Sequence, residues 1–144
     1  MKIVITGCAG FIGFHLAQKL RAGNKVSGLD SFNSYYDVDL KRARDKILKH
    51  SFGIHVEPVD LRNKNQLIKR LAYCKPDIVI HLAAMAGVRH SMDDPEAYIE
   101  NNIVGTHNLI EACDLLNIDK VVYASTSCVM AGNPLPWKED EELG

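Results

Sequence analysis

Residues Thr6–Gly13 read TGCAGFIG and stand between a short apolar run and a segment with helical spacing. Three glycines in this stretch, Gly7, Gly10 and Gly13, follow a GxxGxxG pattern. In dinucleotide-binding folds such glycines let the chain turn sharply, let the backbone approach a pyrophosphate, and let the helix pack close to the strand. The N-terminus of the helix also offers N–H groups and a positive dipole end to phosphates. We therefore expect a phosphate-binding loop here.

An acidic residue follows at the distance that a ribose ligand requires. Asp30 stands 17 positions after Gly13, at the end of the second apolar run. A carboxylate at this place accepts hydrogen bonds from ribose hydroxyls and repels a 2′-phosphate. Ser31 and Phe32 come next, where an NADP site usually has an arginine. We expect NAD as the cofactor; the alternative interpretation is an ordinary strand–helix turn followed by a surface acid.

Apolar runs rich in valine and isoleucine alternate with segments of helical spacing along the chain. The predicted strands are Lys2–Thr6, Lys25–Asp30, His55–Asp60, Asp77–Ala83 and Lys120–Ser125. The predicted helices are Phe11–Ala22, Val38–His50, Asn65–Tyr73 and Pro95–Leu116. Such alternation implies right-handed βαβ units. We predict an α/β fold, a doubly wound parallel sheet (Rossmann fold) of about five strands, as one NAD-binding domain over residues 1–144 with a loop at 133–144.

Helical spacing also predicts which side chains face the sheet. In the first helix these are Ile12, Leu16 and Leu20. The longest helix begins at Asp94 and Pro95, a capping residue and a residue suited to the first turn. Its predicted inward residues are Ile99, Ile103, Thr106, Leu109, Ile110 and Cys113. The basic run Lys41–Lys49 is interpreted as a solvated helix face.

Composition and charge exclude several classes of protein. Hydrophobic residues make up 47% and charged residues 24%, and the net charge is -1 with a pI of about 6.6. A nucleic-acid-binding surface is normally clearly basic. No apolar stretch is long enough to span a bilayer, and the first residues lead straight into a strand rather than a signal peptide. We expect no nucleic-acid or membrane partner and a cytoplasmic location.

The residues that commonly bind metals are dispersed along the chain. The four cysteines are widely spaced without a CxxC pair, and the six histidines show no metal-ligand spacing. We expect reduced thiols and no metal site. The alternative for Cys128 is a reactive thiol beside the predicted site.

Four further motifs follow the later strands or lie in the long helix. They are Asp60-Leu61, His81-Leu82-Ala83-Ala84, Asn101-Asn102-Ile103-Val104-Gly105-Thr106 and Ala124-Ser125-Thr126-Ser127. Together with TGCAGFIG they resemble the signatures of the extended short-chain dehydrogenase/reductase family, and within it the nucleotide-sugar epimerases. Asp30–Leu40 and Ala86–Arg89 look most like the UDP-glucuronate 4-epimerases. The resemblance covers the whole chain.

The resemblance implies a role for particular residues. Thr126 would hydrogen-bond the sugar hydroxyl that is oxidised, and Arg89 would lie near the substrate sugar or its phosphates. Phe11 and Ile12 would offer backbone N–H groups to the pyrophosphate. The full implied cofactor-binding set is Gly7, Gly10, Phe11, Ile12, Gly13, Asp30, Ser31, Asn33, Asp60, Leu61, Leu82, Ala83, Ala84, Ala86 and Asn101.

Each of these roles has a structural alternative. Leu82–Ala84 could be a strand end packed on a helix, and Thr126 could be a capping or turn residue. Arg89 is as well explained by a surface salt bridge as by a substrate contact. His81 is interpreted as a hydrogen-bonded core histidine rather than a catalyst.

The resemblance implies oxidation of a sugar C4 hydroxyl by NAD followed by re-reduction on the other face. The family uses a YxxxK tyrosine as the general base, whose pKa the lysine lowers. None of the five tyrosines here has a lysine four positions later. After Val129 the family usually has Tyr-Gly, whereas this chain has Met130-Ala131-Gly132. We expect the chain to hold the cofactor half of a site and to be inactive alone.

Other functions remain open alternatives. A sugar-nucleotide dehydratase would need Thr-Asp-Glu, whereas Ser127 and Cys128 follow Thr126 here. A decarboxylase or reductase of the same family stays possible, as does a truncated non-catalytic NAD-binding or interaction module. The expected partners are a UDP-sugar, by resemblance, and a second copy of the chain. Self-association is expected through the predicted helix Pro95–Leu116, because apolar surface and a strand edge would be uncovered.

Overall fold

The structure is a computed structural model that describes residues 1–141. Its sheet has five parallel strands in the order β3-β2-β1-β4-β5. The strands are β1 (Lys2–Thr6), β2 (Lys25–Asp30), β3 (Val56–Pro58), β4 (Ile78–His81) and β5 (Val121–Tyr123). This order is that of a Rossmann sheet, so the predicted fold class and number of strands are confirmed. The last three strands are shorter than the sequence predicted.

Helices connect successive strands. They are α1 (Phe11–Leu20), α2 (Val38–Phe52), α3 (Lys64–Cys74), α4 (Val88–Asp93), α5 (Pro95–Tyr98) and α6 (Gly105–Leu115). A π-helical segment, Ile99–Val104, joins α5 to α6, and we call the three together the long helix. As predicted, Asp94 caps its start, because the Asp94 carboxylate accepts the Ala97 N–H at 3.2 Å. The short helix α4 was not predicted.

Both faces of the sheet are covered at the inner strands β1 and β2, which explains why these strands read as nearly continuous apolar runs. Alternate residues of β1 point to opposite faces. Val4 packs in one core with side chains of α3 and α6, such as Leu67 and Leu109. Ile3 and Ile5 pack in the other core with side chains of α1 and α2. The central strand β1 therefore supplies apolar side chains to two layers.

The inward face predicted for the long helix is partly wrong. Leu109 and Cys113 are buried as expected, but Ile103 is 63% exposed, and Ile99 and Ile110 are also exposed. A π-helical turn holds more residues than an α-helical turn, so a 3.6-residue period loses its phase across it. The buried residues of α6 are Gly105, Asn108, Leu109, Ala112 and Cys113.

Two other burial predictions are corrected. Ile12 is 65% exposed, because α1 approaches the sheet through the small residues Gly13 and Ala17. Lys41 does not belong to a solvated face, since it is only 4% exposed. Its ammonium donates to the backbone oxygen and Oδ1 of Asn33 at 2.9 and 2.7 Å.

Apolar side chains are exposed at the β5 edge and on the long helix. They include Ile99, Ile103, Ile110, Leu115, Val121, Val122 and Tyr123. The predicted self-association stays a prediction. Residues 131–141 form turns and bends, and 142–144 of the predicted loop lie outside the described residues. Within residues 1–141, no helix combines the length and apolar character needed to cross a bilayer.

A buried chain of hydrogen bonds links β1, β4 and α6. The Thr6 hydroxyl accepts the N–H groups of Leu82 and Ala83 at 3.2 Å, so its own proton goes to His81 Nδ1 at 2.7 Å. His81 Nε2–H then donates to the Thr106 hydroxyl at 3.0 Å. This arrangement fits a neutral imidazole, and burial lowers the pKa of His81 from 6.5 to about 4. His81 is thus the core histidine that the sequence indicated.

Replacing Gly13 should destabilise the protein. An alanine Cβ there would collide with the Gly7 carbonyl oxygen and lie 2.8 Å from Cys8 Cα, both rigid backbone atoms. We expect Gly13→Ala to lower the free energy of unfolding by about 3 kcal/mol. Gly53→Ala is the control, because nothing lies within 4 Å of its Cβ and only its positive φ is strained, at about 1 kcal/mol. Equal losses in urea denaturation would contradict this packing argument.

The neutral state of His81 should make stability depend on pH. Below pH 6.5 the unfolded chain takes up a proton that the folded chain does not bind until about pH 4. His81 therefore destabilises the fold progressively as the pH falls from about 6.5 to 4, by up to about 3 kcal/mol. The stability advantage of wild type over His81→Gln should shrink between pH 7.5 and 4.5. An advantage that is constant across this range would show that His81 is protonated alike in both states.

Candidate functional site

The loop between β1 and α1 lies directly against the loop after β4. Gly7 has φ of 69°, and a Cβ at this position would lie 2.8 Å from the Ala83 nitrogen. The Gly10 N–H donates to the Gly7 carbonyl at 3.0 Å, and Gly10 then forms the N-cap of α1. Only glycine permits both the turn and the contact at Gly7. The helix N-terminus is thereby brought to the carboxyl edge of the sheet, where it favours an anion.

Asp30 is held by backbone N–H groups on both of its oxygens. Oδ2 accepts the Ala9 N–H at 3.0 Å, and Oδ1 accepts the Phe32 N–H at 2.9 Å. The residue is only 7% exposed. Each carboxylate oxygen keeps a further lone pair, so a fixed, charged acceptor remains available to a pair of hydroxyl groups.

A cleft runs along the carboxyl edge of the sheet past these two features. It brings together most of the residues that the sequence predicted for a cofactor site. Those that line it are Gly7, Gly10, Asp30, Ser31, Asn33, Asp60, Leu61, Leu82, Ala83, Ala84 and Asn101.

The other predicted residues lie elsewhere. The side chains of Phe11 and Ile12 are exposed. Both residues lie in the first turn of α1, and their backbone N–H groups belong to the N-terminus of this helix. Gly13 packs beneath the glycine loop rather than lining the cleft. Ala86 lines an adjoining cavity, whereas Arg89 lies on α4, exposed and outside both cavities.

Lys41 and Tyr36 line the cleft but were missed by the sequence analysis. Burial lowers the pKa of the Lys41 ammonium, which is held by Asn33. Burial likewise raises the pKa of the Tyr36 phenol, whose oxygen accepts from Arg44 Nη1 at 3.2 Å. A signal for Lys41 was present, because it precedes the buried Leu48 by seven residues, two helical turns on the same face.

The π-helical segment places Asn101 at the cleft and Asn102 at the adjoining cavity. Asn102 forms a two-way contact with Met85, since its Oδ1 accepts the Met85 N–H and its Nδ2 donates to the Met85 carbonyl, both at 2.8 Å. The long helix thus fixes the backbone of the loop that follows β4.

Two tyrosines fix the same loop from the other side. The hydroxyls of Tyr35 and Tyr98 both donate to the Ala86 carbonyl, Tyr98 at 2.9 Å. Tyr98 is also 3.0 Å from the Gly87 carbonyl, and Gly87 has φ of 106°. Because Tyr35 belongs to the loop after β2, these contacts join that loop to the loop after β4.

Thr126 lies in the adjoining cavity, which shares Leu82–Met85 with the cleft. Its hydroxyl accepts the Cys128 N–H at 3.2 Å and caps a 3-10 helical turn, Ser127–Met130. Thr126 is therefore a capping residue, as the structural alternative from the sequence stated, and it also lines a cavity. Asp30 lines the cleft and Thr126 lines the adjoining cavity, and Leu82–Met85 form part of the wall of both.

The cysteines differ in their surroundings. Cys8, inside the glycine loop, is fully buried, and burial with the nearby Asp30 raises the pKa of its thiol to about 12. Cys128 is exposed. Among residues 1–141, no group of three or more histidine, cysteine or acidic side chains is placed to hold a metal ion.

Comparisons with known proteins identify the family to which this chain is similar. Residues 3–144 match the NAD dependent epimerase/dehydratase family. Protein CapI of Staphylococcus aureus is 47% identical over 135 residues, which cover 92% of this chain and 40% of that protein. A probable UDP-glucuronate 4-epimerase of Rhizobium meliloti is 40% identical over 141 residues, which cover 96% of this chain and 41% of that epimerase. The chain therefore spans less than half the length of these relatives.

Solved structures show the same likeness. The UDP-glucuronic acid 4-epimerase of Bacillus cereus, in complex with UDP-glucuronic acid and NAD, matches with a TM-score of 0.85 and 37% identity over 99% of this chain and 46% of that one. The UDP-glucose 4-epimerase of Thermus thermophilus, in complex with NAD, matches with a TM-score of 0.79 and 33% identity over 99% and 43%. The resemblance inferred from the motifs is confirmed: this chain belongs to the NAD-dependent epimerase/dehydratase family.

Proposed function

We propose that this chain is the NAD-binding half of a UDP-sugar 4-epimerase of the UDP-glucuronate type. The observation that carries the proposal is the pair of adjoining cavities, one lined by Asp30 and Gly7 and the other by Thr126, which share Leu82–Met85. A dinucleotide would lie along the first cavity and a sugar against the second. The relatives named as UDP-glucuronate 4-epimerases support this assignment.

The residues present fit an NAD molecule. The Asp30 carboxylate would accept hydrogen bonds from both hydroxyls of the adenosine ribose, with Ser31 and Asn33 beside it. Gly10 and the first turn of α1 would bind the pyrophosphate. Asp60 and Leu61 would border the adenine ring. When bound, NAD supplies the carbon that accepts and returns a hydride.

The same residues favour NAD over NADP. Lys41 reaches the wall of the cleft, but its ammonium donates to two oxygens of Asn33. The Asp30 carboxylate would face a 2′ substituent, with Lys41 held by Asn33 beside it. A 2′-phosphate would be repelled by this carboxylate, whereas an NADP site offers an arginine that pairs with the phosphate.

On the sugar side, the Thr126 hydroxyl would hydrogen-bond the hydroxyl at the reacting carbon, with Leu82, Ala83, Ala84 and Ala86 along the nicotinamide half. Arg89 would approach the sugar or its phosphates from α4. Ser127 and Cys128 follow Thr126 in place of the Asp-Glu pair of a dehydratase, which supports epimerase chemistry over elimination.

Removing the Asp30 carboxylate should weaken NAD binding. We expect Asp30→Ala to raise the Kd for NAD by about 10- to 100-fold, because hydrogen bonds to a charged group are lost. Asp37→Ala is a matched control, since Asp37 also accepts two backbone N–H groups but does not line the cleft. Calorimetric titration measures both. Equal affinities of the two variants would refute the ribose assignment.

The polypeptide of 144 residues should bind NAD without turning over a UDP-sugar. None of its five tyrosines is followed by a lysine four positions later, so the proton acceptor of the proposed reaction is missing. The measurement is product formation from UDP-glucuronate and NAD, with the Bacillus cereus epimerase as positive control. Formation of UDP-galacturonate by this polypeptide would disprove the proposal that it holds only the NAD-binding half of the site.

A further inference from the structure

The proposed adenine end of the cleft has one carboxylate held by one guanidinium. Arg62 Nε lies 3.1 Å from each oxygen of Asp60, and Arg62 Nη2 donates to Oδ2 at 2.7 Å. The backbone N–H of Arg62 donates to Oδ1 at 2.9 Å. A planar fork on a planar carboxylate fixes both its position and its plane. Asp60 lines the cleft, whereas Arg62 lies behind it in a neighbouring surface depression.

Glu100 holds the other side of the guanidinium. Arg62 Nη1 donates to Glu100 Oε2 at 2.8 Å. Glu100 belongs to the π-helical segment and directly precedes Asn101, which lines the same cleft. Arg62 is therefore tied at once to the loop after β3 and to the long helix, so the fork cannot swing freely.

Folding stability does not explain this arrangement. The side chains of Asp60, Arg62 and Glu100 are a third to a half exposed, and ion pairs so exposed add little to stability. A neighbouring pair, Lys64 and Glu111, already connects α3 to α6 at 2.8 Å and does not line the cleft. The Arg62 fork has a different consequence, which is a fixed orientation for the carboxylate of a residue that lines the cleft.

An ionised carboxylate only accepts hydrogen bonds, and its hydrogen bonds with Arg62 hold the pKa of Asp60 below its ordinary value. Adenine presents an amino group at C6, which donates. Hypoxanthine presents a carbonyl oxygen there and a donor only at the adjacent N1. A carboxylate free to turn could follow the donor from C6 to N1, whereas a carboxylate clamped in the fork could not.

We propose that Arg62, held by Glu100, is a positioning residue that fixes Asp60 to select a purine with an exocyclic amino group. The inference rests on the proposed NAD site and adds base selectivity to it. It assigns to Arg62 and Glu100 an effect on which dinucleotide binds, although neither side chain needs to touch the base.

The test compares the Kd values for NAD and for nicotinamide hypoxanthine dinucleotide by calorimetry. Wild type should prefer NAD by about tenfold or more, and Arg62→Gln should reduce the preference to about threefold or less. Arg62→Lys keeps the charge without the fork and should fall between them. Glu100→Gln should shift the ratio in the same direction by a smaller factor. Lys64→Gln, which removes an equally exposed cation nearby, should keep the wild-type ratio.

The ratio of the two affinities distinguishes a positioning role from a general loss of structure, because a loss of structure would weaken the binding of both dinucleotides alike. If Arg62→Gln keeps the wild-type ratio, the inference is overturned. If Arg62→Gln does not fold, the same result in Arg62→Lys and Glu100→Gln overturns it. In either case NAD binding by the wild type would still support the proposed function. An equal reduction in Lys64→Gln also overturns it. Failure of wild type to bind either dinucleotide overturns the proposed function and the inference together.

Discussion

The contact between Gly7 and Ala83 is the constraint on which the rest of the site depends. A single hydrogen atom in place of a side chain allows the loop after β1 to touch the backbone of the loop after β4. Thr6, one residue earlier, adds hydrogen bonds to the same backbone and to His81. Because the two central strands are joined at this edge, the helix N-terminus, Asp30 and the loop after β4 are held in one depression.

Sequence patterns predicted the features that depend on local chemistry. Glycine spacing and the acid at Asp30 located the cleft, because both act through backbone geometry that nearby residues determine. Burial within helices was harder to predict. Ile103 was expected inward and is exposed, because one π-helical turn changes the phase of the apolar pattern. Lys41 was expected in water and is buried, because its partner, Asn33, lies in a preceding loop whose path was not predicted.

The hydrogen bonds that shape the cleft were also beyond sequence reasoning. Asn102 was recognised only as part of a motif, although it pairs with both backbone groups of Met85. Tyr35 and Tyr98 are 63 residues apart and meet at the Ala86 carbonyl. Such contacts join loops that are distant in sequence, so neither periodicity nor composition records them. They hold the loop after β4, whose residues Leu82–Met85 line the cleft.

The π-helical segment has a consequence for how the chain can vary in length. A deletion of one residue between Ile99 and Val104 would convert the wide turn into an α-helical one and rotate everything beyond it by about 100°. Either the asparagines would leave the cleft, or Leu109 and Cys113 would leave the core. Substitutions in this segment change one side chain, whereas an insertion or deletion changes the register between site and core. The residue count of this stretch is therefore under stricter constraint than the identity of most residues in it.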